Sequence, residues 1–154
     1  MKLPFVHGKG LFFAVILGCW GLSLPAQTAA KIESLLETPA VSYAQAAYFV
    51  LEAADTAVTA YPEEAFDYVV KQKWLPKKVS PNDAARLDRV SLLLMRSFGL
   101  KGGLFYTIAK NPHYAYREMV YCGVIQGKTD PHAAVSGEQL LFITGRILSI
   151  FGEK

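Results

Sequence analysis

Six residues form the pattern in this chain best suited to ligand chemistry: Trp74, Lys77, Lys78, Arg86, Arg89 and Lys128. Lys71, Lys73, Lys77 and Lys78 surround Trp74, Arg86 and Arg89 open the next apolar stretch, and Lys128 stands fifty positions after Lys78. An indole face among cations suits an anionic glycan, a peptidoglycan carboxylate or a lipid headgroup. The plainer arrangement, with Trp74 in the core and the lysines solvated, uses the same residues. Arg86 stands at an expected helix start, where a cation opposes the macrodipole, so an anion or an acidic partner is expected beside it.

The other reactive side chains read as structural. His113 and His132 are the histidines that follow residue 30, and their spacing does not fit a helical metal site. His132 with Asp130 reads as solvated loop. Glu63 and Glu64 fall in a first helical turn, where negative charge offsets the dipole. Gly99-Leu100-Lys101-Gly102-Gly103 reads as a helix stop and linker, not a phosphate loop, and no G-x-S-x-G pattern occurs. Cys122, in an apolar stretch, reads as a small buried hydrophobe. The expectation is a non-enzyme with no catalytic residue, metal or cofactor.

These residues sit behind a distinctive N-terminus. Lys2 and Lys9 precede an apolar run from Leu11 to Leu24, followed by Pro25-Ala26-Gln27-Thr28-Ala29-Ala30. A basic start, a short apolar stretch and a small-residue exit predict a secretory signal peptide over residues 1–30. Two processing routes stay open. Cleavage after Ala26 or Ala30 would release a soluble protein, whereas Ile16-Leu17-Gly18-Cys19 has the form of a lipobox, with Cys19 as the lipidated residue. The expected location is periplasmic or envelope-associated. Removing the leader lowers the formal charge from +3 to +1, which gives no reason to expect nucleic-acid binding.

The remaining chain carries an internal repeat. Tyr61–Arg96 aligns without a gap on Asn111–Arg146 at an offset of 50. Pro62 matches Pro112, Ala65 matches Ala115, Val70 matches Val120, Lys78 matches Lys128, Pro81 matches Pro131, and Arg96 matches Arg146. Each copy reads as a helix opened by Pro, a short apolar step (Trp74-Leu75 or Val124-Ile125) crossing the core, a turn-rich loop and a second helix. Asn111 is a good N-cap and Gly123 a good stop. The second helices, with Val90 and Leu92–Met95 or Leu140–Ile143, Ile147 and Leu148, are apolar nearly all round and predicted to be buried. Arg96 and Arg146, inside them, need carbonyl or acidic partners. A partial copy lies upstream, where Val41-Ser42-Tyr43-Ala44-Gln45 parallels Val135-Ser136-Gly137-Glu138-Gln139, and both predict an S-x-x-Q capping box. Its own first helix is missing except for a piece at Lys31–Leu36. The domain is therefore all-α over residues 31–154, with a fragment at 31–54 and copies at 61–98 and 111–151.

This layout resembles the S-layer homology (SLH) repeat family. The likeness rests on His113-Tyr114-Ala115, Gly123-Val124-Ile125-Gln126-Gly127, Pro131, Ser136-Gly137-Glu138-Gln139 and Arg146, and covers about Val41–Phe151. It implies a pseudo-threefold bundle with central helices and radiating prongs. Members that hold cell-wall polysaccharide do so through the Arg of a T-R-A-E motif. That position holds Tyr43, Leu87 and Gly137 here, and the preceding loop is shortened to Lys128-Thr129-Asp130. The expected function is a non-catalytic envelope module binding an envelope polysaccharide, peptidoglycan or an envelope protein. The alternative is an assembly subunit that oligomerises or docks a larger envelope protein, since an incomplete first repeat leaves apolar surface uncovered.

Overall fold

The computed structural model describes residues 23–152 except Val58 and Lys77, with the side chains of residues 23–27 left aside. Most of the predicted leader, including Cys19, lies outside the described residues. The fold is all-α. Among the described residues there are seven helices: α1 (Ser23–Leu36), α2 (Tyr43–Ala53), α3 (Pro62–Lys71), α4 (Leu87–Ser97), α5 (Leu104–Ile108), α6 (Pro112–Tyr121) and α7 (Gly137–Phe151). Among the described residues, extended pairing is confined to two isolated bridges, Ser42 with Ala84 and Arg86 with Ala134.

Those bridges belong to a closed three-membered ring of backbone at the centre of the molecule. Val41 N–H donates to Val135 O at 2.8 Å, Val135 N–H to Ala85 O at 2.9 Å, and Ala85 N–H to Val41 O at 2.8 Å. All three residues are fully buried. Burying bare backbone is costly unless each group is paired, and the ring meets that requirement without a sheet. Small or β-branched side chains at the three positions let the strands of backbone approach.

The ring also starts the central helices α2, α4 and α7, because neighbouring loops cap them. In α2, Tyr43 N–H donates to Asp83 O and Ala44 N–H to Pro81 O, each at 3.0 Å. In α4, Leu87 N–H donates to Ala133 O at 3.0 Å and Asp88 N–H to Pro131 O at 2.8 Å. In α7, Gly137 N–H donates to Thr38 O at 2.9 Å. Helix-starting amides that lack an intrahelical partner are thus satisfied by the preceding turns of other elements. The full capping box forms at Ser42 and Gln45. At α7 only half of it forms: Ser136 Oγ accepts from Gln139 N–H at 3.1 Å, with no return bond from the Gln139 side chain.

Four helices end alike. Asp55, Lys73, Gly99 and Gly123 adopt positive φ of 48°, 59°, 59° and 73° just past α2, α3, α4 and α6. In α3 the return bonds run from Lys73 N–H to Val70 O and from Trp74 N–H to Val69 O. In α6 they run from Gly123 N–H to Val120 O and from Val124 N–H to Met119 O. This is the Schellman ending, which satisfies terminal carbonyls and turns the following apolar residue onto the helix. It sends Leu75, Val124 and Ile125 into the core, as the apolar steps predicted, while Trp74 stays half-buried.

The outer helices pair across copies: α3 packs on α2, α6 on α4 and α1 on α7. Helix α1 is longer than the predicted piece and passes through Ala26 and Ala30. Leu35 anchors it, only 1% exposed. Lys31 Nζ donates to the Tyr48 hydroxyl at 2.6 Å, which ties α1 to α2 as well. A Cβ at Gly137 would lie 1.6 Å from Leu35 O, so α1 meets α7 only because Gly137 has no side chain.

Two burial expectations are corrected. Helix α4 is enclosed as predicted, but α7 exposes Phe142, Leu148 and Ile150. The difference follows from packing, since α4 lies between α2 and α6 whereas α7 leans mainly on α1. Cys122 is exposed, because it caps the solvent-facing end of an outer helix.

Candidate functional site

The predicted six-residue cluster divides. Arg86 and Arg89 sit at the start of α4 and are engaged there, away from Trp74. Arg86 Nε and Nη2 donate to the Asp88 carboxylate at 3.2 and 2.8 Å, and Asp88 is buried. Arg89 Nη1 donates to the Tyr43 hydroxyl at 3.0 Å and its guanidinium lies 5.7 Å from that ring centre. Arg86 N–H donates to the same hydroxyl at 3.3 Å. His132 Nδ1 closes the group against Arg86 and stands 3.5 Å from Asp88 Oδ2. The acidic partner expected for Arg86 is therefore Asp88, two residues on. Asp88 Oδ1 also accepts from Arg89 N–H at 2.8 Å, serving the amide that Ser42 serves in α2. With carbonyls on the other starting amides, this helix end is filled from within.

Lys78 and Lys128 are exposed and neither lines the Trp74 groove; Lys77 lies outside the described residues. Trp74 does line a groove of about 320 Å³ between the end of α3 and the start of α6. Its walls are Val70, Lys73, Trp74, Leu92, Lys110 and Pro112, in part. The Tyr68 ring meets Trp74 edge to face at 5.9 Å and fixes the indole. Lys73 reaches the groove because it is the left-handed residue of the α3 ending. Lys110 reaches it because Asn111 caps α6, accepting from Tyr114 N–H at 3.0 Å, and so sets where α6 begins. Sequence reasoning grouped Lys73 with Trp74 but missed Lys110. Its one signal was adjacency to Asn111-Pro112, which marks a helix start without saying what that start packs against.

The chain matches no family profile, curated protein or solved structure.

A second concavity adjoins the first and shares Lys110. It has a volume of about 440 Å³ and is lined by Arg96, Gly102, Tyr106 and Thr107, with Lys101 and Lys110. Arg96 Nε is buried and has no hydrogen-bond partner among the described residues. This departs from the expected carbonyl or acid pairing. The equivalent Arg146 does pair: its Nε donates to Gly123 O at 3.0 Å and its guanidinium lies 5.7 Å from the Phe142 ring centre. Burial pushes the Tyr106 hydroxyl above its usual pKa, while nearby Arg96 opposes that shift and Glu118 adds to it. The uncharged hydroxyl and three cations give this face the means to hold negative charge. Among the described residues, no group of three His, Cys, Asp or Glu side chains converges as a metal site would require.

Proposed function

We propose that this protein is a non-catalytic exported module of the cell envelope, built on an SLH-like scaffold, that binds an anionic envelope glycan. The observation that carries the reading is the groove between α3 and α6, which Trp74 lines together with Lys73 and Lys110. A flat aromatic face takes the apolar side of a sugar ring, and flanking ammonium groups take its acidic substituents. The family's binding Arg is missing at Tyr43, Leu87 and Gly137, so recognition rests on a different set of side chains. Retention of the protein on purified peptidoglycan and envelope polysaccharide tests this. Trp74→Ala should lose retention, and absence of retention by the parent protein at low salt would sink the proposal.

A second reading is favoured by a separate observation. Ile32 and Leu36 on α1 and Phe142, Leu148 and Ile150 on α7 are exposed. Helices that present this much apolar surface suit an assembly subunit, whether self-associating or docked on a larger envelope protein. Light scattering separates the cases, since a strict monomer at high concentration removes the self-associating one.

A further inference from the structure

Helix α5 has two faces of opposite character. Tyr106, 3% exposed, anchors it, while Leu104, Phe105 and Ile108 are 71%, 68% and 75% exposed. Large apolar side chains are seldom presented so openly and so close together on a soluble surface. The arrangement is held in place. Thr107 Oγ1 donates to Gly103 O at 3.0 Å. The Phe105 ring stacks on Tyr114 at 5.8 Å, within 16° of parallel. Gly102 lets Tyr106 fold back over the chain, since a Cβ there would lie 2.5 Å from the Tyr106 ring.

The charge around this wedge is mainly positive, with Glu118 against it on the Gly103 side. From Arg89 to Arg117 the chain holds five cations and no Asp or Glu. Lys101 and Lys110 bracket α5, and both line the cavity behind it with Arg96, whose Nε has no hydrogen-bond partner among the described residues. Glu118, close to Gly103, is the first acid to follow.

We infer that α5 is an interfacial wedge that docks the protein on an anionic lipid bilayer, with Leu104, Phe105 and Ile108 entering the acyl boundary and Lys101 and Lys110 meeting the headgroups. Apolar residues on one face and lysines at the flanks match the chemistry of that boundary. The area decides against a protein partner: three side chains offer on the order of 400 Å², about half of what each side of a stable protein complex buries. Five residues are too few to cross a bilayer, so a contact through α5 lies in the surface plane. It shares Lys110 with the glycan reading, but Lys101, Leu104, Phe105 and Ile108 do not line the Trp74 groove, so variants at those four positions test it separately.

The test is hydrogen–deuterium exchange of the full-length protein with vesicles of phosphatidylcholine alone and mixed with phosphatidylglycerol. Backbone amides of residues 100–110 should exchange at least about threefold more slowly with the anionic vesicles, with less effect at high salt. The combined change Leu104→Ser, Phe105→Ser and Ile108→Ser should abolish that protection and weaken vesicle flotation about tenfold, and Lys101→Glu should weaken flotation without altering the fold. These side chains are exposed, so the variants keep the core. Three outcomes would overturn the inference: residues 100–110 stay unprotected while the protein floats, the triple variant floats like its parent, or protection arises without vesicles as protein concentration rises. The last would assign the wedge to self-association.

Discussion

Asp88 Oδ2 lies 2.8 Å from Arg86 Nη2, and this pair replaces a helix cap at the start of α4. Where α2 begins with Ser42 and Gln45, α4 begins with Arg86 and Arg89, neither of which caps with its side chain. The buried carboxylate accepts from the Arg89 amide and neutralises Arg86 together. Asp88→Ala should therefore destabilise the fold by about 2 kcal/mol, the partial exposure of Arg86 keeping the loss below that of a fully buried pair. Chemical denaturation measures this, and a change under about 0.5 kcal/mol would show that water replaces the carboxylate freely.

Lys73 occupies a left-handed conformation that glycine adopts without cost. Lys73→Gly should raise stability by about 1 kcal/mol. The same change removes a cation from the Trp74 groove, so glycan retention should fall as the melting temperature rises. Opposite movement of the two readouts separates a binding role from a structural one.

Gly137→Ala would place a methyl group against the Leu35 carbonyl. The expected result is release of α1 from α7, with loss of about 2 kcal/mol or more. Limited proteolysis should then cut between α1 and α2, at residues 37–40, far faster than in the parent. Unchanged cleavage would mean that α1 is held by other contacts, such as Lys31 with Tyr48.

Desolvation, then the neighbouring Glu118, push the Cys122 thiol above its usual pKa. Alkylation by iodoacetamide needs the thiolate, so its rate should stay low at neutral pH and rise only above the ordinary thiol range. Glu118→Gln removes a charge that opposes ionisation and should shift the profile to lower pH. A profile unchanged by that substitution would leave desolvation as the sole cause.

Local chemistry made much of the fold readable in advance. Asn111, Ser42 with Gln45, and Gly123 each satisfy backbone groups within a few residues, so the helix ends they imply are where the structure has them. The pairing of Arg146 with a carbonyl followed from the cost of burying a charge. What stayed hidden depends on elements far apart in sequence. Tyr43 and Arg89 meet because α2 and α4 share the ring, and Lys110 meets Trp74 because α6 begins beside the end of α3. The exposure of Cys122 turns on which side of α6 is left uncovered, a question its apolar neighbours cannot answer. Helix α5 has no legible signal in the sequence, since five residues carry too little periodicity to separate a short helix from extended chain.

The pairing of α1 with α7 imposes an order on folding. The earliest described helix touches α2 through Lys31 and Tyr48 but packs its length on the latest, and Leu35 and Thr38 wait for Gly137. Contacts of such long sequence separation form late and slow the folding rate. The backbone ring obeys the same restriction, because Val41 needs both Ala85 and Val135. A chain growing from its N-terminus can pair α2 with α3 early, but the ring and the seat of α1 stay incomplete until residues 135–137 have been made.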